Sequence, residues 1–187
     1  GGAKARAYST AQGAFHGIEK AVQKLGLPEH ATVAIQGFGN GGSFLAKILA
    51  QAGFVVVAIA DSKATMYNPT GLDAVALEKH KNETGSLKGF IGGEELPSEA
   101  VLTRAVDILV PAALENAIHE GNVETIQAKL IVEVANGPVT PEAEVKLTEK
   151  GIVVIPDVLA NAGGVTVSYF EQVQNAMNYA WEEKDIL

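Results

Sequence analysis

The chain has no cysteine among its 187 residues, and that absence excludes disulfides, thiolate metal sites and cysteine nucleophiles together. It is poor in basic residues, with 14 Lys and Arg against 22 Asp and Glu and a formal net charge of -8. With no basic tract to offset that balance, a nucleic-acid surface is excluded. No apolar run approaches the roughly 18 to 20 uncharged residues of a membrane span. The first residues lead into a mixed polar and apolar segment rather than a hydrophobic run, so no secretory signal is read. The lack of cysteine fits a reducing compartment, and a cytoplasmic location is expected. No His-Glu-x-x-His motif or serine elbow occurs, and no metal site is expected. The histidines His16, His30, His80 and His119 show no pairing and read as surface residues.

Hydrophobic residues make up 47% of the chain and are dispersed in periodic runs, as in a soluble globular protein with a substantial core. The expected organisation is one domain over 1–187, with a leading helix and connection in 1–30 and an α/β core with a C-terminal helix in 31–187.

The centre of the sequence is Ala31-Thr-Val-Ala-Ile-Gln36, then Gly37-Phe-Gly-Asn-Gly-Gly42, then Ser43-Phe-Leu-Ala-Lys-Ile-Leu-Ala50. An apolar run meets a Gly-x-Gly-x-x-Gly turn that opens into helical spacing at Phe44, Leu45, Ile48 and Leu49. In such a turn Gly37 permits the sharp bend, Gly39 lets a pyrophosphate approach the backbone, and Gly42 lets helix and strand pack closely. The anion then meets unpaired N–H groups at the positive end of the helix. A second apolar run, Phe54 to Ala60, ends in Asp61, near the offset of roughly 20 residues expected for an acid that holds an adenosine ribose. The competing reading is that Asp61 only caps a strand or starts a turn. Lys63 stands near where a 2'-phosphate would lie, though a solvated lysine is the simpler reading.

Residues 8–25 read as an amphipathic helix with Phe15, Ile18, Val22 and Leu25 at helical spacing, stopped by Gly26 with Pro28 beyond. By pattern alone, Thr10 reads as its N-terminal cap. After Asp61 a polar loop over 62–71 and a helix over about 72–82 are expected. Residues 85–97 read as irregular, with Glu94, Glu95 and Glu99 as a solvated face. Strands follow at 106–111, 130–135 and 152–156. A short helical stretch is expected after 112–116, and a helix starts at Thr140 and Pro141 and stops at Lys150 and Gly151. A long helix is expected from about Val165 to Trp181.

The alternation of strand and helix predicts a doubly wound, mostly parallel α/β sheet covered by helices on both faces. Polar or small residues collect after five strand ends, at 37–42, 61, 111–113, 136–138 and 161–164, which predicts one shared site along the carboxyl edge. Asn136 and Asn161 are candidate partners for a nicotinamide ribose or carboxamide, because an amide side chain both donates and accepts. No acid–base pair is found, so the chain reads as a cofactor domain without its proton-transfer groups.

Five ordered segments, Gln36-Gly-Phe-Gly-Asn40, Pro111-Ala-Ala-Leu-Glu-Asn116, Ala135-Asn-Gly-Pro138, Leu159-Ala-Asn-Ala-Gly-Gly-Val165 and Ser168-Tyr-Phe-Glu171, resemble the nucleotide-binding domain of glutamate dehydrogenases. That family also holds leucine, phenylalanine and valine dehydrogenases. The resemblance implies a Rossmann-like sheet with one strand reversed, and reversible oxidative deamination of L-glutamate to 2-oxoglutarate and ammonia with a nicotinamide cofactor. Asp61 would accept from a free 2'-hydroxyl and repel a 2'-phosphate, which favours NAD as cofactor, while Ser62 and Lys63 could offset that repulsion and leave NADP as an alternative. It implies that Thr10, Asn136 and Asn161 stand near the nicotinamide, reversing the cap reading of Thr10. The glycine turn Gly37, Phe38, Gly39, Asn40, Gly41 and Gly42, with Asp61, Ser62, Pro111 and Ala112, would serve the adenosine and phosphate side. Val165 and Ser168 match positions touching the substrate side chain, and a hydroxyl at 168 suits the glutamate γ-carboxylate. The family's catalytic lysine and aspartate lie on an N-terminal substrate domain that also makes most of the contacts of a homo-hexamer. That domain is expected to be missing here, Gly1-Gly2 resembling the crossing into the second domain. The expected chain binds cofactor and does not turn over. Two alternatives are another amino-acid dehydrogenase of the same family and a non-catalytic nucleotide sensor. One departure is Gly41, where the family commonly has an apolar residue, often valine; a further glycine lowers local helix propensity by roughly 1 kcal/mol relative to alanine.

Overall fold

A computed structural model describes residues 8–177, so the expectations at Gly1-Gly2 and the helix end at Trp181 lie outside the described residues. In chain order the elements are α1 (Ser9–Leu25), β1 (Thr32–Gln36), α2 (Asn40–Gln51), β2 (Val55–Ala60), β3 (Thr65–Tyr67), α3 (Ala74–Thr84), β4 (Glu94–Leu96), β5 (Ile108–Pro111), β6 (Leu130–Val132), α4 (Pro141–Glu149), β7 (Val153–Ile155), α5 (Asp157–Ala160) and α6 (Ala162–Met177). Short 3-10 turns cover Ser98–Thr103 and Val123–Thr125.

The strands form one sheet in the order β4-β3-β2-β1-β5-β6-β7. β1 pairs in parallel with β2 and β5, and β5, β6 and β7 continue in parallel. β3 runs antiparallel to both β2 and β4, which is the single reversed strand that the family resemblance implies. Alternation along the strands divides the core between two faces. Val33, Ile35, Ile108, Val110, Leu130 and Val132 pack with α1, α2 and α3. Ala34, Leu109 and Ile131 turn the other way, onto Val101, Ile118, Val123 and α4 residues Ala143 and Leu147. A doubly wound α/β sheet is therefore present.

Local signals explain most boundaries. α1 buries Ala11, Ala14, Phe15 and Ile18, one stripe of a 3.6-residue period. It stops at Gly26, at φ 63°, whose N–H donates to the Val22 carbonyl. Leu25, read as an apolar-face position, is 38% exposed. Thr140 caps α4 by accepting the Ala143 N–H, with Pro141 following it.

Five expectations are corrected. The loop over 62–71 contains β3, and the irregular 85–97 segment contains β4 as an edge strand. Both have three residues, too short for a periodic pattern; β3 pairs with β2, and β4 pairs with β3. Glu94 and Glu95 are exposed on that edge, where charge discourages pairing with another chain. The helix expected at 72–82 is α3, shifted two residues onward because Asp73 caps it by accepting the Val75 and Ala76 N–H groups. The segment after 112–116 forms turns and the 3-10 turn at Val123–Thr125 rather than a helix. The last helix starts at Ala162, three residues before Val165 and directly after the short α5.

At the amino-terminal edge of the sheet, Asp107 ties three strands together. Its carboxylate accepts the Thr32 N–H and hydroxyl, both at 2.9 Å, and a 2.8 Å bond from the Lys129 ammonium. Burial pushes the Asp107 pKa up, but those donors more than offset it and hold the carboxyl below its ordinary 3.8. A depressed pKa contributes stability that is present above the unfolded value and lost as pH falls through the folded one. Asp107→Ala is therefore expected to lower unfolding free energy by about 2 kcal/mol at pH 7. Denaturant titrations should show the gap to the parent chain closing below pH 3.8; a gap independent of pH would refute the ionic role.

Candidate functional site

Because β1, β2, β5, β6 and β7 run the same way, their carboxyl ends lie along one edge, and the chain order reverses about β1, between β2 and β5. That reversal opens a crevice at the strand ends. Two clefts occupy this edge. The larger, of about 660 Å³, is lined by Gln36, Gly37, Phe38, Gly39, Asp61, Ser62, Lys81, Gly85, Ser98, Glu99, Leu102 and Ala112 to Leu114. The smaller, of about 420 Å³, is lined by Thr10, Val134, Asn136, Asn161, Gly164, Val165 and Ser168.

In the larger cleft the glycine turn is held by its neighbours. The Gly37 N–H donates to the Ala60 carbonyl at 2.9 Å, and Gly37 has φ 105°, a conformation that side chains resist. A Cβ on Gly37 would also lie 2.7 Å from the Ala113 Cβ. A Cβ on Gly42 would strike the Gly37 carbonyl oxygen, so α2 leaves β1 too closely for any side chain at that position. Gly39 has no atom within 4 Å of where its Cβ would stand. The open space over Gly39, in a turn leading directly into a helix N-terminus, fits a pyrophosphate. Asn40, Gly41 and Gly42 form the first turn of α2 and do not line the cleft. Gly41 is helical despite the added glycine, and its Cβ would meet only Val134 Cγ1, at an ordinary 3.6 Å.

Asp61 lines the cleft and also organises the loop after β2. Its Oδ1 accepts the Lys63 and Ala64 N–H groups at 2.8 and 3.0 Å, and its Oδ2 accepts the Leu87 N–H at 2.8 Å. Burial raises its pKa, but these three N–H groups and the Lys81 charge outweigh it and hold the carboxyl below 3.8. A carboxylate has about four acceptor sites, so one is left for a hydroxyl. Turn and ribose roles are thus compatible. Lys63 is exposed and outside the cleft, whereas Lys81 lines it and donates to the Phe38 carbonyl at 2.8 Å. Sequence reasoning missed Lys81 because α3 is rich in charged residues that give no reason to choose among them. Pro111 is buried in β5 and lines neither cleft; its carbonyl accepts the Val134 and Ala135 N–H groups. Ala112 follows it into the cleft wall.

The smaller cleft brings together the residues that the resemblance grouped. Asn161 Nδ2 donates to Asn136 Oδ1 at 2.8 Å. Thr10 is the second residue of α1, not its cap, since the cap position is Tyr8 and no side chain caps the helix. Its hydroxyl lies against Gly164, where a Cβ would collide with it. Ser168 donates to the Gly164 carbonyl at 2.9 Å. Val165 is 75% exposed. The four histidines line neither cleft and bond locally, His16 with Gln12 and Glu19, His30 with the Gly53 carbonyl, His80 with the Lys88 carbonyl and His119 with the Gly121 N–H. Among the described residues, no group of three or more His, Asp or Glu could hold a metal ion, and no helix is long and apolar enough to cross a membrane.

The arrangement can cradle an elongated anionic ligand from a phosphate-type turn to a polar amide pair. Known proteins share both the sequence and the fold. The chain is 56% identical over 154 residues to the NADP-specific glutamate dehydrogenase A1 of Halobacterium salinarum, matching 82% of this chain and 37% of that protein. It is 46% identical to the catabolic NAD-specific glutamate dehydrogenase of Bacillus subtilis, over 100% of this chain and 44% of that one. The crystal structure of a hetero-hexameric glutamate dehydrogenase from Thermus thermophilus superposes with a TM-score of 0.88 at 35% identity, covering 95% of this chain and 42% of that chain. The chain thus spans less than half the length of these relatives. The family model for Glutamate/Leucine/Phenylalanine/Valine dehydrogenase matches residues 1–187, and the chain belongs to that family of oxidoreductases.

Proposed function

We propose that this chain is the cofactor-binding domain of an NAD(P)-dependent glutamate dehydrogenase, which deaminates L-glutamate oxidatively and reversibly to 2-oxoglutarate and ammonia. The observation that carries this reading is the pair of clefts on one sheet edge, one with a glycine turn open at Gly39 and the other with the Asn136–Asn161 pair. The residues fit a dinucleotide: Gly37 to Gly39 take the phosphates, Asp61 and Ser62 the adenosine ribose, and Thr10, Asn136 and Asn161 the nicotinamide end. When bound, the nicotinamide supplies hydride acceptance from the substrate Cα. The chain's own task is to bind and orient: the glycine turn fixes the phosphates, and the amide pair sets the ring end beside Val165 and Ser168. Ser168 contacts the substrate γ-carboxylate, exchanging its bond to Gly164 for one to that anion. Proton transfer is assigned to a lysine and an aspartate on a substrate domain outside this chain, so the chain alone binds cofactor without turning over. The whole enzyme is assigned as a cytoplasmic homo-hexamer.

NAD is the preferred cofactor, because the ionised Asp61 accepts from a free 2'-hydroxyl and repels a 2'-phosphate. Parallel titrations with NADH and NADPH, followed by nicotinamide fluorescence, test the reading. Saturable binding with NADH the tighter ligand is expected. Equal or tighter NADPH binding would overturn the NAD preference and assign the phosphate to Ser62 and Lys81. Steady glutamate oxidation by this chain alone would sink the assignment of proton transfer to another domain.

A further inference from the structure

Glu133 is 7% exposed, follows directly on β6 and enters neither cleft. An acid there would be destabilising without partners. Its Oε2 accepts the Asp157 N–H at 2.9 Å, at the first residue of α5. The Asp157 carboxylate in turn accepts the Gly137 N–H at 2.9 Å. The Asp157 carbonyl accepts the Asn161 N–H, also at 2.9 Å. Asn161 then donates its amide to Asn136, beside Gly137 in sequence. The result is a closed ring of bonds joining the end of β6, the loop after it and α5. Both asparagines are members of this ring.

We propose that Glu133 is the positioning residue of this amide pair: by anchoring α5 through the Asp157 N–H it fixes Asn161 against Asn136, and so sets the nicotinamide end of the site. The inference rests on the cofactor reading above. It differs from ordinary packing in that its effect is confined to one end of the ligand. None of the ring's residues lines the adenosine and phosphate cleft.

The choice of variants follows from the chemistry of the site. Burial pushes the Glu133 carboxyl above its ordinary value, and the carboxylates of Asp157 and Glu144 add to that push against the Asp157 and Val139 N–H groups. An uncharged amide carbonyl at 133 therefore keeps the acceptor and gives up little, whereas a leucine removes it.

The experiment compares Glu133→Leu and Glu133→Gln with the parent chain, each titrated with NADH and with ADP-ribose, which lacks the nicotinamide. Glu133→Leu should weaken NADH by about tenfold and leave ADP-ribose within about twofold. Glu133→Gln should restore NADH binding to near the parent value. Parent-like NADH affinity in Glu133→Leu would overturn the inference, as would equal losses of both ligands or a failure of glutamine to rescue. If the parent chain bound neither ligand, the cofactor reading itself would fall and take this inference with it.

Discussion

Replacing Gly42 with alanine is expected to lower the unfolding free energy by about 3 kcal/mol or more, a large part of the 5–15 kcal/mol that holds a typical domain together. The added methyl would meet the Gly37 carbonyl oxygen, with the Gly37 carbonyl carbon at 3.0 Å and Ile35 Cγ2 at 3.5 Å. Neither side can yield readily. Gly37 is fixed by its bond to Ala60 and by the Ala112–Ala113 segment on its other side, and α2 is pinned by the buried Leu45, Ala46 and Leu49. The adjacent Gly41 is the internal control, since its Cβ meets only a side-chain methyl at 3.6 Å. Urea unfolding should show a strongly lowered midpoint for Gly42→Ala and an unchanged or raised one for Gly41→Ala. Similar midpoints for the two would mean that the turn relaxes around the methyl.

Gly39→Ala should do the opposite, leaving the fold intact and removing binding. Gly39 has φ -87° and ψ -163°, backbone angles open to any residue, and no atom lies within 4 Å of the new methyl. Stability is therefore expected to stay near that of the parent. If a pyrophosphate lies against this backbone, the methyl takes its place, and NADH affinity should fall by about 10- to 100-fold. Unchanged affinity would remove Gly39 from the phosphate site. The two glycines, three residues apart, would then divide the motif into one position required by the protein and one required by the ligand. Asp61→Ala is a poorer probe, because it also strips three backbone N–H groups of their acceptor.

The elements that follow local rules were legible in the sequence. The run from β1 through the glycine turn to α2 and β2, the stop at Gly26 and the start at Thr140-Pro141 all rest on contacts between residues close in the chain. The reversed strand did not follow from periodicity, because Thr65-Met-Tyr67 shows no alternation of its own and takes its direction from β2. Asn136 and Asn161 were placed on one edge by the strand-end loops, whereas Thr10, Val165 and Ser168 joined them only through the resemblance. No local pattern links residue 10 to residue 161, since helix packing alone brings them together. Glu133 did leave a trace, as the one acid in the otherwise apolar run Leu130-Ile-Val-Glu-Val-Ala135, yet its partner Asp157 lies three elements further on. Asp61 was read as a choice between turn and ligand, although a carboxylate has enough acceptor sites for both.

The close crossing of α1 and α6 has a kinetic side. Gly13 and Gly163 meet there with no room for side chains, a Cβ on Gly13 standing 3.3 Å from the Gly163 Cα. The helices, at Ser9–Leu25 and Ala162–Met177, come from opposite ends of the described chain, so their contact closes a loop containing all seven strands of the sheet. Such closure carries a large entropic penalty until the intervening strands are in place. The β1-α2-β2 unit needs no such closure. During refolding, amide protons of β1 and β2 should become protected from exchange early and those of α6 late. In the native protein the Thr10–Ser168 cleft should open at lower free energy than the glycine turn. The end of the site that faces the chemistry would thus be assembled last and loosened first.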